Sequence, residues 1–238
     1  MTQEYIPQRA LFIFAHPDDI EFGVAGTAAK WAKAGSEVTY VLITDGNVGS
    51  HDEEFDREKL AKTRREEQNA AAHVAGVQKV VYLGYHDGLL EPTLELRRDL
   101  VKVIRQYKPN VVVSGDPRSF FPSDDYINHP DHRAAAIAAI EAVFPACEMR
   151  LLYPEFEAEG ITPHKVNHVY ITFGRDVNLY IDITDTIGIK LEALRQHTSQ
   201  LGDWDPTELI HNWAKETGKQ VGFNYAEGFR RLTLNPES

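Results

Sequence analysis

Residues 10–19 read ALFIFAHPDD. The first five are apolar without alternation, the pattern of a short strand covered on both faces. His16, Pro17, Asp18 and Asp19 follow almost at once. In an open α/β sheet, polar side chains that leave the end of a buried strand enter the crevice where ligands bind. The rest of the chain therefore has to show whether strands and helices alternate.

They do. Residues 24–34 (VAGTAAKWAKA) are Ala-rich and stop at Gly35, which predicts a helix with a C-terminal glycine cap. Residues 37–44 (EVTYVLIT) are β-branched and read as a second strand. A long helix is expected over 57–75, ending at Gly76, with a third strand at 80–83 and a helix at 93–107. NVVVSG at 110–115 is the fourth strand, and 130–143 is a helix opened by Pro130, a favoured first helical position. A fifth strand is expected at 150–153. Further strands are expected at 166–171, 179–183 and 229–234, and helices at 187–200 and 207–217. This order specifies an α/β fold, Rossmann-like, with an open, mostly parallel sheet flanked by helices. No linker or repeat divides the 238 residues. One domain over 1–238 is expected, with a core at about 8–155 and a C-terminal elaboration at about 156–238.

Composition narrows the class. Hydrophobic residues make up 42% and charged residues 26%, as in a globular protein. The formal charge of −11 speaks against nucleic acid or an anionic membrane as partner, since both reward positive charge. The single cysteine, Cys147, excludes an intrachain disulfide framework and Cys-rich metal sites, and reads as a buried or neutral thiol. No signal-peptide pattern and no apolar stretch near 18 residues is present, so a cytoplasmic protein is expected. The glycines at 23 and 26 do not form a dinucleotide fingerprint, and neither a Walker A nor a Gly-x-Ser-x-Gly sequence occurs.

Ten histidines are the informative count. His16-Pro17-Asp18-Asp19 follows the first strand, and His129-Pro130-Asp131-His132 lies between the fourth strand and the next helix. In the strand order 3-2-1-4-5, strands 1 and 4 are neighbours at the reversal point, so the two motifs face each other. Together they offer three histidines and three aspartates. A catalytic zinc takes three N/O ligands and leaves a position for water, which suits two histidines and one carboxylate. A remaining carboxylate can accept a proton, and a remaining histidine can stabilise developing charge. Spacing alone leaves open which side chain does which. Either motif alone reads as well as a helix cap or a surface polar group. His51, His73, His164, His168 and His211 read as surface or packing residues, with His86 and His197 left open. The charged run 52–67 reads as a solvated helix face, with Arg64 as its one candidate for turning inward. The aromatic residues Trp204, Trp213, Phe223 and Tyr225 read as core or interface, with a sugar platform as the sharper alternative.

AHPDDIEFGVAGTAAKWAKAG (15–35), TRREEQNAAAHVAGV (63–77), NHPDHRAAA (128–136) and LEALRQHTSQ (191–200) resemble the PIG-L/LmbE-like family of zinc-dependent N-deacetylases. The resemblance implies Zn²⁺ held by His16, Asp19 and His132, other divalent metals being compatible with N/O ligands. It implies Asp18 as general base, His129 as the second catalytic histidine and Asp131 as its orienting partner. Arg64 matches an arginine that holds substrate hydroxyls or phosphate, with Arg65 as fallback. Asp87, in YHDGLL, matches a loop that lines the sugar pocket. Two residues before His129, where some relatives have a tyrosine, stands Ile127, with Tyr126 one step further back. The implied reaction removes acetyl from an N-acetylglucosamine-type sugar, the partner being that small molecule and the assembly a homo-oligomer, trimer or hexamer. Two other readings keep the same residues: an amidase acting on a larger conjugate or a non-sugar amide, and an inert metal-binding relative.

Overall fold

The structure is a computed structural model and describes residues 5–235; the two ends of the 1–238 reading lie outside the described residues. Seven strands form one sheet: β1 (Arg9–Phe14), β2 (Glu37–Thr44), β3 (Lys79–Tyr85), β4 (Val111–Gly115), β5 (His168–Thr172), β6 (Leu179–Asp182) and β7 (Ala226–Thr233). Their order is β3-β2-β1-β4-β5-β7-β6. The first five are parallel, and β7 pairs antiparallel with β5 and β6. The expected 3-2-1-4 order is thus observed, with a fifth parallel strand beyond β4.

Strand β1 is central, which explains its unbroken apolar sequence. Ala10, Phe12 and Phe14 join a core with Trp31, Tyr40, Tyr170 and Phe229 on one face. Leu11, Ile13 and Ala15 join Val41, Leu100, Ile104 and Phe156 on the other. The alternation is the period-2 geometry of a strand serving two layers. Each fully buried large apolar side chain contributes about 1.5–3 kcal/mol.

The helices are α1 (Asp19–Gly23), α2 (Ala25–Lys33), α3 (Arg57–Val74), α4 (Leu94–Tyr107), α5 (Pro130–Glu141), α6 (Glu155–Ala158), α7 (Ile187–Leu194), α8 (Thr198–Leu201) and α9 (Thr207–Lys219). The Asp56 side chain accepts from Lys59 N at 2.8 Å to open α3, and Thr93 Oγ1 accepts from Leu96 N at 3.1 Å to open α4.

The helix expected at 24–34 is α2, and a short α1 that starts inside the His-Pro-Asp-Asp motif precedes it, separated from it at Val24 (φ −138°). Two expectations are corrected. Residues 150–153 form turns, not a strand. They pack beside Arg105, which is fully buried on α4. Its guanidinium donates to the carbonyls of Ala146, Cys147, Met149 and, within the stretch, Leu152 at 2.8–3.2 Å, and Leu152 N and Tyr153 O are engaged in local turns to Met149 O and Phe156 N. The fifth strand is β5, parallel to β4, so the sheet continues past residue 155. Finally, the helix expected at 187–200 breaks at 195–197 into α7 and α8, where His197 turns inward.

The C-terminal strands are tied to the core by a buried ion pair. Lys190 Nζ on α7 lies 2.7 Å from Glu227 Oε1 on β7 and also donates to Gly23 O. The same carboxylate accepts from Gly26 N and Thr27 N at 3.0 and 2.8 Å. Removing one partner leaves the other charge buried and alone. Lys190→Met is expected to lower unfolding free energy by about 3–5 kcal/mol in a urea titration; a loss below about 1 kcal/mol would show that the pair does not anchor this layer.

Candidate metal centre and active site

Because β1 pairs directly with β4, Ala10 against Val111 and Phe12 against Val113, the segments leaving both strands meet. His16, Asp18 and Asp19 come from the first. His129, Asp131 and His132 come from the second, at the N-terminus of α5. The three imidazoles gather with ring centroids 4.9–5.5 Å apart.

Asp19 sits between two of them. Its Oδ1 lies 3.0 Å from His132 Nε2 and its Oδ2 lies 3.6 Å from His16 Nδ1. One ligand atom from each of His16, Asp19 and His132 falls within 4.8 Å of the others, so the group can hold a metal ion. The outer contacts fit that use. His16 Nε2 faces two carboxylate oxygens, Asp87 Oδ1 at 3.0 Å and Asp131 Oδ2 at 3.3 Å, and so must be a donor. His132 Nδ1 meets Asn128 Oδ1 at 2.9 Å and is likewise a donor. In the neutral rings the lone pairs then lie on His16 Nδ1 and His132 Nε2, the two atoms turned to Asp19. This is the usual way a protein orients ligating histidines, with the far nitrogen held by a carboxylate or carbonyl.

The electrostatics agree. Burial opposes charge on His16, yet hydrogen bonds with Asp131, Asp19 and Asp87 overcome it and hold its pKa well above the ordinary value. Burial also opposes charge on His132, and the charge of Asp19 overcomes it and raises that pKa. Asp19 pays for burial but is held well below the carboxylate range, with the charge of His132 the largest favourable influence. The carboxylates thus favour positive charge at these rings, and a cation bound to the neutral rings would supply it instead.

Asp18 has a different environment. Its backbone is left-handed, φ 95°, which is costly for a residue with a Cβ. Burial pushes its carboxyl up to about 6 against the charge of Arg64, which holds it down. Arg64 Nη2 reaches Asp18 Oδ2 at 3.1 Å and Pro17 O, and Nη1 donates to Gly46 O at 3.0 Å. Gly46 is left-handed (φ 67°), and a Cβ there would stand 2.5 Å from Arg64 Nη1, so only glycine lets the guanidinium through. Arg64 is therefore buried and committed to protein partners.

His129 caps α5: its Nδ1 accepts from Asp131 N at 3.2 Å. That fixes the proton of the neutral ring on Nε2. Burial, then the nearby His16, lower its pKa. Asp131 does not face His129 closely, since its Oδ1 stands 3.9 Å from His129 Nδ1. Its carboxylate instead accepts from Gly88 N at 2.7 Å and Leu90 N at 3.3 Å and meets His16. Asp87 is also turned toward His16 and accepts from Val48 N at 3.1 Å. Arg65 lies over the Tyr82 ring, 4.3 Å from its centroid, away from this cluster.

A cavity of about 620 Å³ opens beside Asp19 and His132. Phe22, Tyr126, Phe173 and Trp213 stand in its wall, and Asp116 adds a carboxylate. Ile127 is 73% exposed and lies outside it. Sequence reasoning missed Asn128, Asp116 and Phe173; only Asn128, adjacent to a motif, carried a signal.

The open α/β sheet thus brings a His/Asp/His group that can hold a metal ion to the carboxyl ends of two adjacent strands, where ligands bind in such sheets. Residues 11–143 match the GlcNAc-PI de-N-acetylase (PIG-L) family, and the chain belongs to it. It is 36% identical to a diacetylchitobiose deacetylase of Thermococcus kodakarensis, over 94% of this chain and 82% of that one. It is 31% identical to a probable N-acetyl-α-D-glucosaminyl L-malate deacetylase 2 of Bacillus anthracis, over 81% of each. The structure resembles that of the N,N'-diacetylchitobiose deacetylase of Pyrococcus horikoshii, with a TM-score of 0.88 at 34% identity, covering 95% of this chain and 84% of that one.

The orienting role of Asn128 is open to measurement. Asn128→Ala is expected to weaken zinc binding about 10–100-fold in a chelator competition while the fold is kept. Affinity unchanged within about twofold would mean that His132 needs no such partner.

Proposed function

We propose that this protein is a metal-dependent N-deacetylase that hydrolyses the acetamide of an N-acetylglucosamine-type sugar to acetate and a free amine. The observation that carries the reading is the His16/Asp19/His132 group, two of whose members, Asp19 and His132, line the cavity. Family membership and the relatives' activities support it. Zinc is the proposed ion, as three N/O ligands without sulfur are the donor set of catalytic zinc. Bound there, a divalent ion would supply Lewis acidity and make water a better nucleophile at neutral pH.

The remaining work falls to this chain's own groups. Asp18, with its carboxyl raised to about 6, accepts the proton of the attacking water near neutral pH. Arg64 keeps that carboxylate in place through its contact with Oδ2. His129, neutral and with its proton on Nε2, donates a hydrogen bond toward the oxygen that gains charge, and the proton taken up by Asp18 passes to the leaving nitrogen. Asp131 and Asp87 act through His16, fixing its ring.

The cavity indicates the substrate's other half. Its lining includes five aromatic side chains and two carboxylates, with no lysine or arginine. Such walls favour a neutral, ring-bearing conjugate over an anionic one. Strands from both halves of the chain share one sheet, which supports reading the protein as a single domain. Among the described residues no helix is long and apolar enough to cross a membrane. The buried free Cys147, with its thiol pushed up to about 12 by burial, is consistent with the proposed cytoplasmic setting.

Asp18→Asn is expected to keep its zinc and lose about 10²–10⁴-fold in acetate release. Zinc-loaded Asp18→Asn with wild-type turnover would overturn the base assignment. On a substrate panel, a neutral acetylated disaccharide is expected to exceed a malate-bearing N-acetylglucosaminide by about tenfold or more in kcat/KM. The reverse order would contradict the reading of the cavity.

A further inference from the structure

Three fully buried polar side chains lie behind Asp18 and belong to none of the roles above: Glu21 on α1, Gln68 on α3 and His197 at the break between α7 and α8. They form a continuous chain. His197 Nε2 lies 3.2 Å from Glu21 Oε2, Gln68 Nε2 donates to Glu21 Oε1 at 3.1 Å, and Gln68 Oε1 accepts from Asp18 N at 3.1 Å. We infer that His197, Glu21 and Gln68 are positioning residues that hold the backbone of Asp18 in its left-handed conformation and so aim its carboxylate. This inference rests on Asp18 being the proton acceptor.

The direction of the chain follows from donor and acceptor chemistry. A glutamate carboxylate only accepts, so it takes an N–H from each neighbour. That forces the Gln68 amide to present its NH2 to Glu21 and its oxygen to Asp18. Turned the other way, the amide would set NH2 against the Asp18 N–H and its oxygen against the carboxylate. Glu21 therefore sets the orientation of Gln68, and Gln68 sets the peptide of Asp18. On the far side, His197 Nδ1 is buried with no partner, which fits a ring whose single proton is on Nε2 and used on Glu21.

The demand for such a device is visible at Asp18. A non-glycine residue at φ 95° is held there only if its surroundings over-determine it. Arg64 grips the preceding carbonyl and the side chain, and Gln68 grips the N–H. The carbonyl of Asp18 accepts from Phe22 N at 3.0 Å, in the first turn of α1. Of these, only the Gln68 bond fixes the N–H, and it depends on two residues drawn from elsewhere in the chain.

The test compares isosteres by metal content and by acetate release from an N-acetylglucosamine disaccharide with the zinc-loaded enzyme. Gln68→Met removes both hydrogen bonds at similar volume. It is expected to lower kcat about tenfold or more, with KM and zinc stoichiometry held within about twofold. Gln68→Asn, too short to span the gap, is expected to give the same loss and serves if Gln68→Met does not fold. Glu21→Gln can still accept from Gln68 with its oxygen and donate to the other tautomer of His197. It is expected to stay within about threefold of wild type, which a requirement for the charge would not allow. In an Asp18→Asn background, Gln68→Met is expected to cost nothing further, because it acts only through the Asp18 carboxylate. A folded Gln68→Met enzyme with kcat within about twofold of wild type, or one whose loss is undiminished in the Asp18→Asn background, overturns the inference. Asp18→Asn measured alone separates the two levels: if it keeps wild-type turnover, the base assignment falls and the positioning role with it.

Discussion

The site depends on one pairing, that of β1 with β4. About a hundred residues separate the two motifs in sequence, and three backbone positions in parallel register bring them together. Asp19 then stands 3.0 Å from His132 and close to His16. Long-range parallel pairing costs chain entropy before any contact offsets it. The offset here is the double burial of β1, whose alternate residues enter both layers of the core.

Concentrating carboxylates at the end of a buried strand creates a charge problem, and much of the surrounding structure answers it. Asp19, Asp87 and Asp131 are each stabilised as anions by imidazole, Asp87 and Asp131 also by backbone N–H groups. Asp18, with burial dominant, stays closest to neutrality of the four. Carboxylates with pKa values driven apart in this way are suited to different tasks, one as ligand and one as proton acceptor. The difference comes from position within a four-residue motif: Asp19 turns toward the histidines, and Asp18 turns back toward Arg64.

Local motifs were readable in the sequence because each rests on local chemistry. The apolar run 10–14 has the pattern of a doubly covered strand, and Pro130 is in a favoured first helical position. Alternation of elements gave the α/β class, and the common doubly wound strand order, assumed for it, placed both His-Pro-Asp motifs at one crevice. Residues whose roles arise from distant packing were not readable. Arg105 lies among arginines and lysines on α4, and nothing local shows that it is the one to be buried beside the turns at 150–153. Glu67 and Gln68 sit in the charged run RREEQN, which has the composition of a solvated helix face, yet both are buried; only Arg64 in that run carried a sequence reason to turn inward, and it does. Trp213 and Phe173 reach the cavity from the C-terminal third, through β5 and α9, and only the tertiary structure shows it. Asp87 was assigned to substrate by resemblance; its 3.0 Å contact with His16 Nε2 gives it a second, structural use.

The central claim is that a cation at His16, Asp19 and His132 is what makes this crevice hydrolytic. The most direct measurement is titration of metal-stripped protein with zinc while acetate release from an acetylated disaccharide is followed. The account expects negligible release without metal and a rise that breaks at about one equivalent per chain, as one three-ligand site requires. Full activity in the stripped protein, or stoichiometric zinc binding that leaves the rate unchanged, would contradict it.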